Sequence, residues 1–194
     1  MKIAVSQREE AIGQSGQVYD CLAQAWYTFL QKHTIVPVPN VDIDQDYDFD
    51  VVFFSGGNSS LTRLHTELKL YNWAIKNNVP MVGICHGAFF LCELTGGTCG
   101  DIEGHRGTEH VVRMDNHNII VNSFHGSNII TVGKDYDIIA TDLDGNVEGF
   151  KHKTKPIWGL VWHPELMEVP ILPKDLDDFL GITKNVLNHI PDYI

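Results

Sequence analysis

Two short runs that are apolar at every position, rather than at alternate ones, constrain the fold most. Val51-Val52-Phe53-Phe54 leads into Ser55-Gly56-Gly57, and Val79-Pro80-Met81-Val82-Gly83-Ile84 leads into Cys85-His86-Gly87. A strand that is apolar on both sides must be covered on both faces, the condition met by a parallel sheet between two helical layers. Between the runs, Leu61, Leu64, Leu68, Tyr71 and Ile75 recur at helical spacing, with Ser60 placed to cap that helix. Residues 2–6 read as a first strand, and Gly16 to His33 as a helix with Leu22, Ala25, Trp26, Phe29 and Leu30 on one face. Residues 35–39 read as a strand broken by proline, and His86 to Leu94 as an apolar helix. The second half changes character: turn pairs at Asp115-Asn116 and Asp144-Gly145 separate strand-like runs and predict two hairpins. A strand over 156–162 and a closing helix from Lys174 to Ile190 complete the chain. The expected architecture is an α/β three-layer sandwich with a mostly parallel central sheet and late antiparallel hairpins, in one domain spanning 1–194.

Several function classes drop out on composition. Asp and Glu number 25 against 14 Lys and Arg, a formal charge of −11, whereas coating nucleic acid requires a basic face. No apolar run approaches the ~20 residues of a membrane span. The N-terminus turns polar after five residues, so no signal peptide is expected. Cys21, Cys85, Cys92 and Cys99 form no CxxC pair. Without an export signal they read as reduced thiols, and the chain as cytoplasmic.

Cys85 stands apart from the other three. It sits between Gly83 and Gly87 at the C-terminal end of a predicted strand, directly before a helix. Gly-x-Cys-x-Gly is the thiol counterpart of the Gly-x-Ser-x-Gly nucleophile elbow, in which glycines let a strained turn close beneath an outward-pointing nucleophile. The following helix N-terminus favours a thiolate, and backbone N–H groups nearby can hold an oxyanion. Cys21, Cys92 and Cys99 lack this setting and read as inert. A cysteine nucleophile needs a base, and the base needs an orienting group. Of ten histidines, His163 in Gly-Leu-Val-Trp-His-Pro-Glu ends an apolar strand with Glu165 two residues on. On an extended strand the two would project from one side. Ser55-Gly56-Gly57-Asn58, on the same predicted sheet edge, can bring a second oxyanion donor.

Ser-Gly-Gly-Asn, Pro-Met-Val-Gly-Ile-Cys-His-Gly-Ala-Phe-Phe-Leu and Trp-Gly-Leu-Val-Trp-His-Pro-Glu, in that order, resemble the class I (triad) glutamine amidotransferases, and within them the free-standing γ-glutamyl hydrolase branch. The resemblance implies Cys85 as nucleophile, His163 as base and Glu165 as orienter. It implies an oxyanion hole from Gly57 and His86, with Asn58 beside it, and glutamyl contacts near Phe124, His125, Gly126 and Ser127. Its implied substrate is a small γ-glutamyl amide, nucleotide-linked and belonging to capsule phosphoramidate biosynthesis, with L-glutamate released and no cofactor used. Many members carry Gln four residues after the nucleophile. Phe89 stands there instead, which changes how the glutamate moiety is held and disfavours free glutamine.

Arg8, after the first strand, and the His105-Arg106 loop supply candidate anion contacts; Arg8 is equally readable as a solvated arginine among Glu9 and Glu10. His105, His110, His117 and Cys99 match no common zinc spacing, and the triad chemistry needs no metal, so no metal site is expected. Two rival functions stay open: a glutaminase subunit feeding ammonia to a separate synthetase, and a redox-sensing or binding protein of related fold. No nucleic-acid or membrane partner is expected, and a homo-oligomer is left open.

Overall fold

The computed structural model describes residues 1–13, 16–41 and 47–182. Parallel strands β1 (Lys2–Ser6), β4 (Thr34–Val38), β5 (Val51–Phe54), β6 (Met81–Ile84) and β13 (Ile157–Leu160) form the first half of the main sheet. From β13 the sheet continues antiparallel through β12 (Val147–His152), β11 (Tyr136–Asp142), β8 (Arg106–Met114) and β9 (His117–Phe124). The order is β4-β1-β5-β6-β13-β12-β11-β8-β9, with β10 (Ser127–Thr131) pairing both β12 and β7 (Thr98–Asp101). Both hairpin turns fall where Asp115-Asn116 and Asp144-Gly145 predict them. Asp115 and Asn116 both adopt positive φ, as a two-residue hairpin turn requires.

Strand periodicity sorts the core into two layers. Ile3, Val5, Phe53, Val82 and Ile84 face one side, where Trp26, Phe29 and Leu30 of the α1 segment (helix Gln24–Phe29) and Leu176 and Leu180 of α4 (Lys174–Leu180) cover them. Ala4, Val52, Phe54 and Met81 face the other, covered by Leu70 and Ala74 of α2 (Leu61–Asn77) and Ala88, Phe90 and Leu91 of α3 (His86–Leu94). Successive residues point to opposite faces, so a strand with a helix on each side must be apolar throughout. The three-layer α/β sandwich is the fold observed.

Three local expectations need correction. The helix predicted over 16–33 exists only at Gln24–Phe29. Upstream, β2 (Arg8–Ile12) and β3 (Gln17–Cys21) form a separate two-stranded sheet, and its Val18 and Tyr19 suit a strand better than a helix. The buried face of α2 is Arg63, Thr66, Glu67, Leu70 and Ala74, while Leu61 is 87% exposed and Leu68 is also exposed. The helix turns a polar stripe inward because one end of that face meets the polar loops at the sheet edge. Ser60 does cap it, accepting from the Arg63 N–H. Finally, α4 ends at Leu180, with Gly181 left-handed at its C-cap, and residues 183–190 of the predicted helix lie outside the described residues.

Candidate active site

The parallel strands deliver Ser6, Ser55 and Cys85 to one edge of the sheet, the place where α/β sheets gather ligands. Cys85 holds φ 50° and ψ −106°, a backbone conformation rarely tolerated by a residue with a Cβ. It is kept there by its N–H donating to Leu160 O at 2.8 Å, while its carbonyl accepts from Ala88 and Phe89 N–H at 2.9 and 3.1 Å. The flanking glycines serve a different purpose from the one expected, since neither has positive φ. A Cβ on Gly83 would overlap the Gly87 carbonyl, and one on Gly87 would overlap that of Phe54. Strain resides on the cysteine; the glycines let α3 press against β5 and β6.

His163 lies just past β13 and is clamped through its backbone. Its N–H donates to Asn122 Oδ1, and its carbonyl accepts from Asn122 Nδ2, both at 2.8 Å. Its Nδ1 meets Glu165 Oε1 at 2.7 Å, and the Cys85 sulfur lies close enough to act on the ring. Glu165 does not arrive along an extended strand as the sequence suggested. It belongs to a single 3₁₀ turn, Pro164–Leu166, that folds its carboxylate back under the ring. Burial acts most strongly on His163 and favours loss of its proton. The bonds to Cys85 and Glu165, with their charges, outweigh it and raise the pKa to about 10. The ring is therefore protonated at neutral pH.

A buried polar network that the sequence reading missed supports this edge. Arg63, fully buried, donates to the carbonyls of Asn58 at 2.9 Å, Gly56 at 3.3 Å and Ser55 at 2.5 Å, holding the glycine loop. Its Nε donates to Glu67 Oε1 at 2.9 Å. The same carboxylate accepts from Ser6 Oγ and meets His86 Nε2, both at 2.8 Å. Desolvation pushes the Glu67 pKa up, but the His86 and Arg63 interactions overcome it and leave the group below its usual range. Arg63 and Glu67 sit four apart on one helix, and that spacing is the signal that could have exposed the pair in the sequence.

These groups open onto a cleft of about 700 Å³. The residues singled out for the site line it, His105 excepted: Cys85, His163 and Glu165; Gly57, Asn58 and His86; Arg8, Phe89 and Arg106; and Phe124, His125, Gly126 and Ser127. Cys21, read as inert, is also on its wall, as are Leu22, Ala23 and Trp26, a side that sequence reasoning did not foresee because it misread the hairpin. Arg8 pairs with Glu10 at 3.1 Å. The His105-Arg106 loop is divided: Arg106 faces the cleft, whereas His105 and His110 turn into a separate group with His125 and Glu148. His117, on the contrary, is exposed at the start of β9, and Cys99 lies on β7 outside that group.

The sequence model of the family described as glutamine amidotransferase class-I matches residues 12–181. The chain belongs to that family. It is 27% identical over 181 residues to the γ-glutamyl-CDP-amidate hydrolase of Campylobacter jejuni, a match covering 85% of this chain and 90% of that protein. Against the carbamoyl phosphate synthase small chain of Clostridium perfringens it is 34% identical, across 62% of this chain but only 36% of the relative. Among solved structures, a GMP synthase protein from Thermoplasma acidophilum superposes with TM-score 0.71 at 26% identity, covering 97% of this chain and 96% of that one. A glutamine amidotransferase from Thermotoga maritima gives TM-score 0.69 at 16% identity, covering 96% of this chain and 84% of that one, a likeness of fold alone. No helix among the described residues is long and apolar enough to cross a membrane.

Proposed function

We propose that this amidotransferase-family chain acts alone as a γ-glutamyl amide hydrolase, with Cys85 as nucleophile, His163 as proton donor and acceptor, and Glu165 as its orienter. The observation that carries the reading is His163 bonded to Glu165 at 2.7 Å, with the Cys85 sulfur near enough to act on the ring, inside one cleft. The Cys85 sulfur, its proton already carried by His163, attacks the γ-carbonyl as a thiolate, with backbone N–H groups of Gly57 and His86 receiving the oxyanion. As the C–N bond breaks, the leaving nitrogen takes the proton held by His163. Water, deprotonated by the now neutral ring, then attacks the thioester, releasing L-glutamate and returning the Cys85 sulfur, as a thiolate, to its place beside the reprotonated His163. The glutamyl portion would rest against Phe124, Gly126 and Ser127.

For the leaving group we favour a nucleotide-linked amide, γ-glutamyl-CDP-amidate, which would yield cytidine diphosphoramidate. Three observations support it: the hydrolase match extends over most of both chains, Arg8 and Arg106 stand on the wall, and the cleft exceeds the need of a glutamyl group alone. Phe89 offers no polar contact to the amino-acid end of free glutamine. The second reading, a glutaminase subunit serving a synthetase, draws on the carbamoyl phosphate synthase and GMP synthase relatives.

The purified chain should be assayed alone against glutamine and a panel of γ-glutamyl amides that includes the CDP-amidate, with glutamate release followed by mass spectrometry. Activity favouring the larger amide is expected, lost in Cys85→Ala with the fold intact. Glutamine-specific or partner-dependent activity would select the second reading, and turnover surviving in Cys85→Ala would remove Cys85 from the chemistry.

A further inference from the structure

His105 before β8, His110 within it, His125 in the β9–β10 turn and Glu148 in β12 each direct one ligand-type atom to a common point, all within 4.8 Å of one another. Glu148 Oε1 lies 3.5 Å from His110 Nε2, 3.5 Å from His125 Nε2 and 3.7 Å from His105 Nδ1. These separations are too long for hydrogen bonds. Consistently, all three nitrogens and both Glu148 oxygens are buried without a hydrogen-bond partner. Glu148 is 1% exposed and His125 4%. A buried carboxylate facing three unpartnered imidazole nitrogens is a costly arrangement unless something stands between them.

The spacing says what would fit. A tetrahedral ion with bonds of about 2.0–2.2 Å sets its ligand atoms about 3.3–3.6 Å apart, close to the distances that Glu148 Oε1 keeps. The outer contacts point the same way. His125 Nδ1 is bonded to Ser127 O at 2.8 Å, which makes it the donor nitrogen and leaves Nε2 as a lone pair aimed inward. On His105 the outer nitrogen, Nε2, faces Asp142 Oδ2 at 3.7 Å, and that carboxylate is itself fixed by Asn146 N–H and Nδ2 at 2.7 Å each.

We propose that His105, His110, His125 and Glu148 form a binding site for one divalent transition-metal ion, zinc by ligand type and geometry. Three imidazoles and a carboxylate complete a four-coordinate shell, so the site is structural and leaves no open position for substrate. Its consequence for the cleft is positional. The ion ties the loop carrying Arg106 and the turn carrying Phe124, Gly126 and Ser127 to the β12 strand.

The test strips the full chain with a chelator, titrates it with Zn²⁺ alone, counts bound metal by mass spectrometry and follows the thermal midpoint. One ion per chain and a higher midpoint are expected, with affinity reduced on the order of 100-fold or more in His105→Ala, the ligand nearest solvent after His110, and in Glu148→Gln. Full stoichiometry should survive Cys85→Ala, which separates this site from metal captured by the nucleophile. Co²⁺ loaded into the wild type should give the strong visible bands of a tetrahedral site without thiolate charge transfer, a readout that stands even where a variant fails to fold. Absence of stoichiometric uptake by the wild type, an octahedral or thiolate cobalt spectrum, or undiminished uptake in His105→Ala would overturn the proposal.

Discussion

Gly56→Ala tests directly whether His163 must sit where it does. Gly56 has no positive φ, so alanine meets no backbone penalty and the perturbation is purely steric. The added Cβ would overlap His163 Cε1 and stand 3.3 Å from both ring nitrogens. Restoring an ordinary carbon–carbon separation of about 3.5–4.0 Å from that overlap displaces the imidazole by about 1–1.5 Å. The ring has little room to yield, because Glu165 holds Nδ1 at 2.7 Å and Asn122 holds the backbone on both sides. A displacement of that size at reacting groups costs about 100-fold in rate, and the crowding should cost about 1–3 kcal/mol of stability. The assay is kcat on the preferred γ-glutamyl amide, with thermal midpoints measured for Gly56→Ala, His163→Ala and the double variant. In the His163→Ala background the stability loss from Gly56→Ala should vanish, since the clashing ring is gone. Wild-type kcat in Gly56→Ala, or an unchanged stability loss in the double variant, would refute the reasoning.

Glu67→Ala should destabilise the chain by about 3–5 kcal/mol, because it leaves the fully buried Arg63 without its carboxylate; chemical denaturation measures it, and a loss under 1 kcal/mol would contradict the network. The His163 pKa is raised from 6.5 to about 10 on folding, so its contribution to stability is complete below about pH 6.5 and is lost as pH rises through about 10. His163→Ala should therefore flatten the alkaline fall in thermal midpoint, and the wild-type kcat/KM, which reports the free enzyme, should keep its proton-donor limb to near pH 10; a limb near pH 7 would rule this out. Arg106→Ala should cost about 1.5–3 kcal/mol in kcat/KM for an amide with an anionic leaving group while sparing glutamine; equal losses on both substrates would count against a leaving-group contact.

The sequence carried the parallel half of the fold and the positions that converge on the cleft, because strands covered on both faces are apolar throughout and the cysteine and histidine segments end such strands. The Gly16–His33 stretch misled because Ala25, Trp26 and Phe29 do belong to a short helix, with Leu22 and Leu30 packing on the core beside it, while the β-forming residues before them pair with Arg8–Ile12. On α2 the pattern was right only in part: Leu64, Tyr71 and Ile75 pack against the core, but Leu61 and Leu68 are exposed, and a buried ion pair replaces apolar burial at one end. Spacing along the chain also could not reveal that His125 and Glu148 join His105 and His110. Those four come from separate strands and turns, and only the folded sheet makes them neighbours.

Glu67 has a consequence for how error accumulates in the cleft. Ser6, the Arg63-held glycine loop and His86 reach the sheet edge from three distant parts of the chain, yet each is located by a direct bond, or one bond through Arg63, to the same carboxylate. Their relative positions therefore depend on a few short, charge-assisted distances and not on the summed tolerances of strands, helices and side-chain packing between them. Mutations that loosen the distant core should lower stability well before they blur the alignment of the glycine loop with the first turn of α3.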